Sequence, residues 1–455
     1  MRTQTIEHVA AGQYRSGRKQ INTYQRYLGT CLGVALYDPE TQVGGMIHIL
    51  LPEPPSVSNL DCPEKYASTG LSLLINELVK LGAKTQNLEA SIAGGALVGP
   101  ISQMDMNLDI GGRSADIAAT ILGSYGIKVI KSETGGFFMC TLELNMETGQ
   151  THIHPAWEYT ARSQMEFKAP SLENIFQTIE QLKPIPQTAL KIFRMFQSSQ
   201  YHITDITDEL AKDQVLSAQA LKLCNSALFS GMIKIDTLKD AVLLMGEHML
   251  VKTVITAAVD NYYDQTGTGG YSLCKGGLFF HAVGVAILAE KIAQKLQSPF
   301  LKIAYTAGLL HDIGKVVLDQ YVSESTPLLF RRLGEKNESF LEAEKKLMGI
   351  THCEAGGILA KKWQFSDILS TVIRLHHTPE KSEKQQDLVY IVHLADYIME
   401  KFSTGLDLEK IHPDNFNTAL DHCGLTAEDI PELVDAIPLN AFGNDGGLHK
   451  KRFKK

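Results

Sequence analysis

A cysteine and a histidine stand near each other early in the chain. Cys31 lies in the run Leu28-Gly-Thr-Cys-Leu-Gly-Val-Ala-Leu-Tyr-Asp-Pro39, and His48 lies in Val43-Gly-Gly-Met-Ile-His-Ile-Leu50. A thiolate is a strong nucleophile, and an imidazole beside it lowers the thiol pKa and relays protons, so the two hold the parts of covalent catalysis. Whether they meet depends on strand register. Asp38-Pro-Glu-Thr41 has Asp first and Pro second, as a type I turn prefers. Built on that turn, a hairpin pairs Tyr37 with Gln42, Ala35 with Gly44, Gly33 with Met46 and Cys31 with His48. Directly opposed residues carry Cβ atoms about 5 Å apart. One face then carries Leu32, Val34, Leu36, Val43, Ile47 and Ile49 as a core stripe. The other carries the thiol and imidazole beside Gly33, Ala35 and Gly44, small residues that leave room for a substrate. The alternative is a small core cysteine and a satisfied polar histidine.

The elements that must position this pair fall in a β-rich half. Residues 1–158 hold short alternating runs punctuated by Gly94-Gly95, Gly111-Gly112 and Gly135-Gly136. Two helical periods, Leu71–Leu81 and Ser114–Leu122 with Ser114 as N-cap, complete an α+β layout. A polar stretch, 159–171, reads as a linker. From Leu172 the period becomes helical: Leu172–Leu182, Gln187–Gln197, Ile203–Lys212, Ser217–Leu223, Leu238–Leu244, His281–Leu296 and Leu301–Gln320, an all-α region extending to 438. Residues 439–455 end in a basic run and read as a flexible tail.

Composition sets the bounds. At 455 residues, 44% hydrophobic and 21% charged, the chain has the make-up of a soluble protein of two or three domains. A net charge of -8 supplies no global field for nucleic acid or anionic lipid. Seven scattered cysteines without a Cys-x-x-Cys fit a reducing compartment and no disulfide framework. The N-terminus shows no secretory h-region. The richest apolar stretch, Ala241–Val259, is interrupted by Glu247, His248 and Lys252, so the expectation is a cytoplasmic chain without membrane insertion.

The residues around Cys31 and His48 carry a resemblance. Leu28-Gly-Thr-Cys31, Asp38-Pro39, Gly45-Met-Ile-His48 and Leu51-Pro52 resemble the signature of the CheD family, the chemoreceptor glutamine deamidases. Gly94-Gly-Ala96, Asp109-Ile-Gly-Gly-Arg113 and Gly126-Ile-Lys-Val-Ile130 extend the match over about residues 14–155. The resemblance implies a nucleophile at Cys31 and an acid/base at His48. It also implies methyl-accepting chemotaxis receptors as substrates, a CheC-type phosphatase as a further partner, and no cofactor for deamidation. The family's usual histidine-orienting threonine is here Gln25; Gln25, or nearby Thr23 or Thr30, takes its place in this reading. Arg113-Ser114 and Met139-Cys140 also depart from the family pattern.

The helical half resembles the HDOD family, all-helical signalling relatives of the HD phosphohydrolases. Leu182-Lys-Pro-Ile-Pro186, Asp208-Glu-Leu-Ala211, Leu221-Lys-Leu-Cys-Asn-Ser-Ala227, Gly308-Leu-Leu-His-Asp-Ile-Gly-Lys315 and His376-His-Thr-Pro379 carry the likeness. Most such domains have lost their metal ligands. This chain keeps His281, His311-Asp312 and Asp396, the order of a working HD site, with His352, His376 and His377 resembling the extra histidines of the HD-GYP phosphodiesterases. Imidazole and carboxylate suit a divalent iron, manganese, zinc or nickel ion. Such an ion polarises a phosphate and generates hydroxide, and Lys315 lies one turn beyond His311. No Gly-Tyr-Pro follows His377. Three readings stay open: a deamidase joined to a signalling module, a metal-dependent phosphohydrolase with a docking domain, and a scaffold with two vestigial sites.

Overall fold

The computed structural model describes residues 5–54, 62–96, 108–135, 139–155, 169–198, 201–225, 235–263, 271, 277–322, 339–402 and 413–437. The linker up to 168, the basic tail, and Gly136, Ser226, Ala227 and Cys274 lie outside the described residues. The chain forms two compact units, one of residues 1–164, 398–417 and 426–455, the other of 165–397 and 418–425.

The first unit is α+β. Its strands are β1 (Thr5–His8), β2 (Gln13–Arg18), β3 (Asn22–Leu28), β4 (Leu32–Asp38), β5 (Val43–Ile49), β6 (Glu89–Gly94), β7 (Lys128–Thr134), β8 (Cys140–Asn145) and β9 (Thr151–Pro155). They form a five-stranded sheet, β2-β5-β4-β6-β7, and a four-stranded sheet, β1-β3-β8-β9. Alternation decides what each face meets. Leu32, Val34, Leu36, Val43, Ile47 and Ile49 do form one stripe, packed on Leu71, Leu74 and Leu78 of α1 (Ala67–Lys80) and on Ala118 and Leu122 of α2 (Ile110–Ser124). Ala35, Tyr37 and Met46 face the other way, toward Tyr24, Leu28, Leu142 and Leu144 of the four-stranded sheet. Helix α2 starts earlier than Ser114: Asp109, with φ at +37°, caps it by accepting from Gly112 N at 3.2 Å.

The hairpin register differs from the expected one by two. Asp38 pairs with Val43, Tyr37 with Gly44, Ala35 with Met46 and Gly33 with His48. The reason is the loop. Gln42 takes φ +55° and donates its N–H to Asp38 O at 2.8 Å, so the turn is 39–42, one residue later than Asp38–Thr41. The Asp38 carboxylate accepts from Glu40 N at 2.9 Å and Thr41 N at 3.1 Å, and from Lys84 N at 2.8 Å, which keeps Asp38 at a strand end.

Among the described residues the last helix, α15 (Ile430–Asp435), which follows α14 (Pro413–Cys423), belongs to this unit. Buried Lys65 bonds Asp435 O at 2.7 Å, and its ammonium stands 3.3 Å from the Asp435 carboxylate. The carbonyl of Lys65 accepts from Leu50 N at 2.9 Å and Leu51 N at 3.1 Å, just beyond β5.

The second unit is helical: α3 (Leu172–Gln181), α4 (Gln187–Ser198), α5 (Ile203–Ala211), α6 (Gln214–Cys224), α7 (Leu238–Tyr263), α8 (Gly277–Lys295), α9 (Leu301–Leu310), α10 (Phe340–Met348), α11 (His352–Lys362) and α12 (Asp367–Leu375), with most of α13 (Gln386–Phe402). Ser171 caps α3 in a reciprocal box with Asn174. Asn225 is structural, as its place at a helix end suggests: its amide donates to Leu221 O at 2.8 Å and Ile235 O at 2.7 Å and accepts from Ile235 N at 2.9 Å. The expected single helix Leu301–Gln320 is broken. Residues 311–314 form a turn and helix resumes at 315. Gly314 sets that turn against α11, where a Cβ would stand 1.9 Å from His352 O. Two helical stretches, Leu238–Asp260 and Gly277–Lys295, are long and apolar enough to cross a membrane; the second is 78% buried in the unit, and α7 departs from helical geometry at Gly246.

Candidate active site and metal centre

Cys31 stands one residue before β4. Its carbonyl accepts from Gly95 N at 2.9 Å, while Gly29 O accepts from Ala96 N at 2.8 Å. Glycine is required here: at Gly94, φ +98°, a Cβ would lie 2.3 Å from Cys31 O, and at Gly111 one would lie 2.4 Å from Gly95 O. The two glycine motifs thus clamp the cysteine loop between β6 and the start of α2.

His48 lies opposite Gly33, two residues along the strand direction from Cys31. By alternation both belong to the layer between the sheets, as diagonal rather than direct neighbours. Each is 1% exposed. Burial, then the charge of Arg26, hold the His48 pKa well below the usual value, with a hydrogen bond to the Val9 backbone acting the other way, so the neutral imidazole is favoured. The small residues do not leave open space. Leu28 and Leu142 occupy the side of Gly33, and the Tyr37 ring occupies that of Gly44.

Gln25 is not brought to His48. It pairs with His8 and Glu143, and its amide donates to Glu143 Oε1 at 2.5 Å. Tyr24 and Leu28 face the inter-sheet core, so alternation turns Gln25 to the opposite face and Arg26 inward. Arg26 is the residue that sequence reasoning passed over. A cation between Tyr24 and Leu28 on an apolar face was its signal. Thr30 sits half-buried in the loop before Cys31.

In the helical unit, every expected ligand converges. His281 Nε2 is 2.9 Å from Asp396 Oδ1 and 3.6 Å from Asp312 Oδ2; His311 Nε2 is 3.2 Å from Asp312 Oδ2 and 3.4 Å from Asp396 Oδ1. The other carboxylate oxygen, Asp312 Oδ1, lies 3.4 Å from His352 Nε2 and 3.4 Å from His376 Nε2. Asp312 therefore stands between two clusters, one of His281, His311, Asp312 and Asp396, the other of His352, Cys353, His376 and His377. Lys315 reaches Asp312 Oδ2 at 2.5 Å rather than open space.

The electrostatics follow. Burial alone would lower the His311 pKa, but Asp312 and Asp396 outweigh it and push it up to about 9. Burial would raise Asp312, yet His311 and Lys315 hold it well below the carboxylate range. Burial, with His377 beside it, presses His376 down to about 3.

The supports complete the fit for a divalent ion. His311 Nδ1 donates to Gly308 O at 2.6 Å, which turns Nε2 to the carboxylates. Asp396 Oδ2 is buried without a hydrogen-bond partner among the described residues, as a lone pair facing a cation would be, and one donor atom from each of the four residues lies within 4.8 Å of the others. Glu344, His393 and Cys353 were not anticipated. Glu344 accepts from His352 Nδ1 at 2.8 Å, and His393 Nδ1 donates to His376 O at 2.6 Å. The centre is closed: His281 is 4% exposed, His311 0%, Asp312 1% and Asp396 1%.

Comparison with known proteins gives two family matches. The model for CheD chemotactic sensory transduction matches residues 50–155, and that for the HDOD domain matches 182–379. The CheD span begins after Cys31 and His48. The probable chemoreceptor glutamine deamidase CheD of Pyrococcus abyssi is 40% identical over 147 residues, 32% of this chain and 88% of that protein. The chemoreceptor glutamine deamidase CheD of Thermotoga maritima is 42% identical over 123 residues, 27% of this chain and 74% of that protein. A crystal structure of an HDOD domain protein of unknown function from Geobacter sulfurreducens aligns with 60% of this chain and 99% of its own, at 24% identity and a TM-score of 0.47.

Proposed function

We propose, from the premise that this chain belongs to the CheD family and carries an HDOD domain, that it is a protein-glutamine deamidase acting on chemoreceptors, with Cys31 as nucleophile and His48 as acid/base. What supports the reading is His48 paired with Gly33 on the inter-sheet face, two residues along β4 from Cys31, with the charge of Arg26 acting on His48. In the reaction, the Cys31 thiol passes its proton to His48 and the sulfur attacks the glutamine side-chain carbonyl. The tetrahedral adduct collapses as His48 protonates the departing nitrogen, and ammonia leaves a thioester. His48 then takes a proton from water, whose oxygen displaces sulfur and leaves glutamate. Arg26 keeps the imidazole neutral between steps, and the Gly94–Gly95 clamp fixes the cysteine backbone. Gln25 and Thr30 act at most through packing. The full-length chain, incubated with a chemoreceptor cytoplasmic fragment, is expected to release ammonia, and Cys31→Ala to release none; equal release by both refutes the assignment.

We assign His281, His311, Asp312 and Asp396 as the residues that would hold a divalent metal in the helical unit. When bound, such an ion supplies Lewis acidity and a fixed charge. The burial of all four ligands favours a closed, structural or sensory centre over one that keeps an open position for substrate. That places the phosphohydrolase reading second. A regulatory helical module beside a cytoplasmic deamidase, with a CheC-type phosphatase as a candidate partner, is the functional whole.

A further inference from the structure

The four side chains His352, Cys353, His376 and His377 are used by none of the steps above. We propose that Cys353 binds metal as a thiolate, making this second pocket a three-histidine, one-cysteine site for a soft divalent ion such as zinc. The proposal rests on the pocket's own geometry and stands apart from the deamidase reading.

The distances have the dimensions of a tetrahedron. An ion with nitrogen ligands at about 2.0 Å and sulfur at about 2.3 Å separates its nitrogens by about 3.3 Å and nitrogen from sulfur by about 3.5 Å. His352 Nε2 lies 3.4 Å from His376 Nε2 and 3.1 Å from His377 Nε2. Cys353 Sγ lies 3.5 Å from His352 Nε2 and 4.0 Å from His376 Nε2. All four donor atoms fall within 4.8 Å of one another.

The rings are also oriented as ligands. His352 Nδ1 is engaged by Glu344 at 2.8 Å, and His376 Nδ1 donates to Ile373 O at 3.1 Å and Val372 O at 3.2 Å. Each bond fixes the tautomer that leaves Nε2 as a lone pair. Three imidazole nitrogens facing one another are adverse without a cation at their centre. The chain fixes Cys353 there by a local device. Thr351 and Glu354 form a capping box, with Glu354 N donating to Thr351 Oγ1 at 3.1 Å, so His352 and Cys353 occupy the first turn of α11. A thiolate among imidazoles selects zinc, cobalt or ferrous iron over magnesium or calcium. The neighbouring pocket, with two imidazoles and two carboxylates, is harder.

The test uses the full-length protein stripped of metal and loaded with cobalt(II). The expected result is a near-ultraviolet thiolate-to-cobalt charge-transfer band. Cys353→Ser should abolish the band and lower bound cobalt by about one ion per chain, with far-ultraviolet circular dichroism unchanged. His377→Ala should weaken the same band. In zinc-loaded protein, X-ray absorption should show one sulfur neighbour at about 2.3 Å, lost in Cys353→Ser. A cobalt-loaded wild type without the band, or a band that persists in Cys353→Ser, overturns the proposal. Cobalt bound without any sulfur contribution overturns it too, while leaving the His281–Asp396 pocket standing.

Discussion

The chain holds two cysteine–histidine neighbourhoods with opposite supports. Cys31 and His48 sit between two β-sheets, where burial and then Arg26 hold the imidazole pKa well below the usual value. Cys353 and His352 sit at a helix start, where Glu344 grips one ring nitrogen and two further imidazoles face the other. Burial, followed by Cys353 and Glu344 acting against it, leaves the His352 pKa well above the usual value. On the proposed readings the same residue pair serves two chemistries. A neutral ring can pick up and return a proton. In the proposed site, rings held at Nδ1, His352 by Glu344 and His376 by Ile373 O, turn Nε2 toward an ion beside the thiol.

The contrast is broken most sharply by exchanging the cysteines' fates. Cys31→Ala is expected to lower the deamidation rate by about 10⁴-fold or more, as for loss of a nucleophile, whereas Cys353→Ala should leave the rate within about twofold. Both are read by ammonia release from a chemoreceptor fragment. The next effect is on the scaffold. Asp435→Ala removes the carboxylate that pairs with the buried Lys65 ammonium, leaving it carbonyl partners alone among the contacts described, and should destabilise the first unit by about 3 kcal/mol, measured by denaturant unfolding followed through that unit's signals. Gly94→Ala drives a Cβ toward Cys31 O and should cost about 1–3 kcal/mol, with deamidation falling as the clamp shifts.

A smaller effect separates the two histidines by pH. The unfolded chain holds His48 near its ordinary value, about 6.5, while the folded state holds it well below. Between those values the unfolded state binds more protons, so stability rises with pH. His48 therefore contributes fully above about 6.5 and loses its contribution as pH falls toward the folded value. His8, also lowered by burial and then Arg26, adds to the same slope. His48→Gln should flatten part of the acid limb in unfolding midpoints measured across that range. The smallest effect belongs to Gln25→Ala, expected to change deamidation by less than about twofold because its amide faces Glu143; a large loss would place it back in the mechanism.

The sequence made some of this legible and hid the rest for identifiable reasons. The stripe of Leu32, Val34, Leu36, Val43, Ile47 and Ile49 was legible because a half-buried hairpin must alternate, and no register error of two can change faces. The register was hidden because it depends on Gln42 adopting φ +55° and on Asp38 binding Lys84 N, a contact from outside the hairpin. Gln25 was singled out by motif position and Arg26 passed over, but strand alternation decides which side chain turns inward. The residues His281, His311, Asp312, Asp396, His352, His376 and His377 were legible as a family pattern, and the structure gathers them. Glu344 and His393 were not, because supports of this kind come from other helices. The break at 311–314 was hidden for the same reason: Gly314 is shaped by His352 O, which no local period reveals.

The central claim is that Cys31 and His48 convert receptor glutamine to glutamate. Its most direct test is peptide mass spectrometry of a chemoreceptor cytoplasmic fragment after incubation with the full-length chain, its Cys31→Ala variant and its His48→Ala variant. The account predicts glutamine-to-glutamate conversion at a few defined positions with the wild type and at none with either variant. Conversion that persists in Cys31→Ala, or a wild type that leaves every glutamine intact where a related CheD protein converts the same fragment, would contradict it.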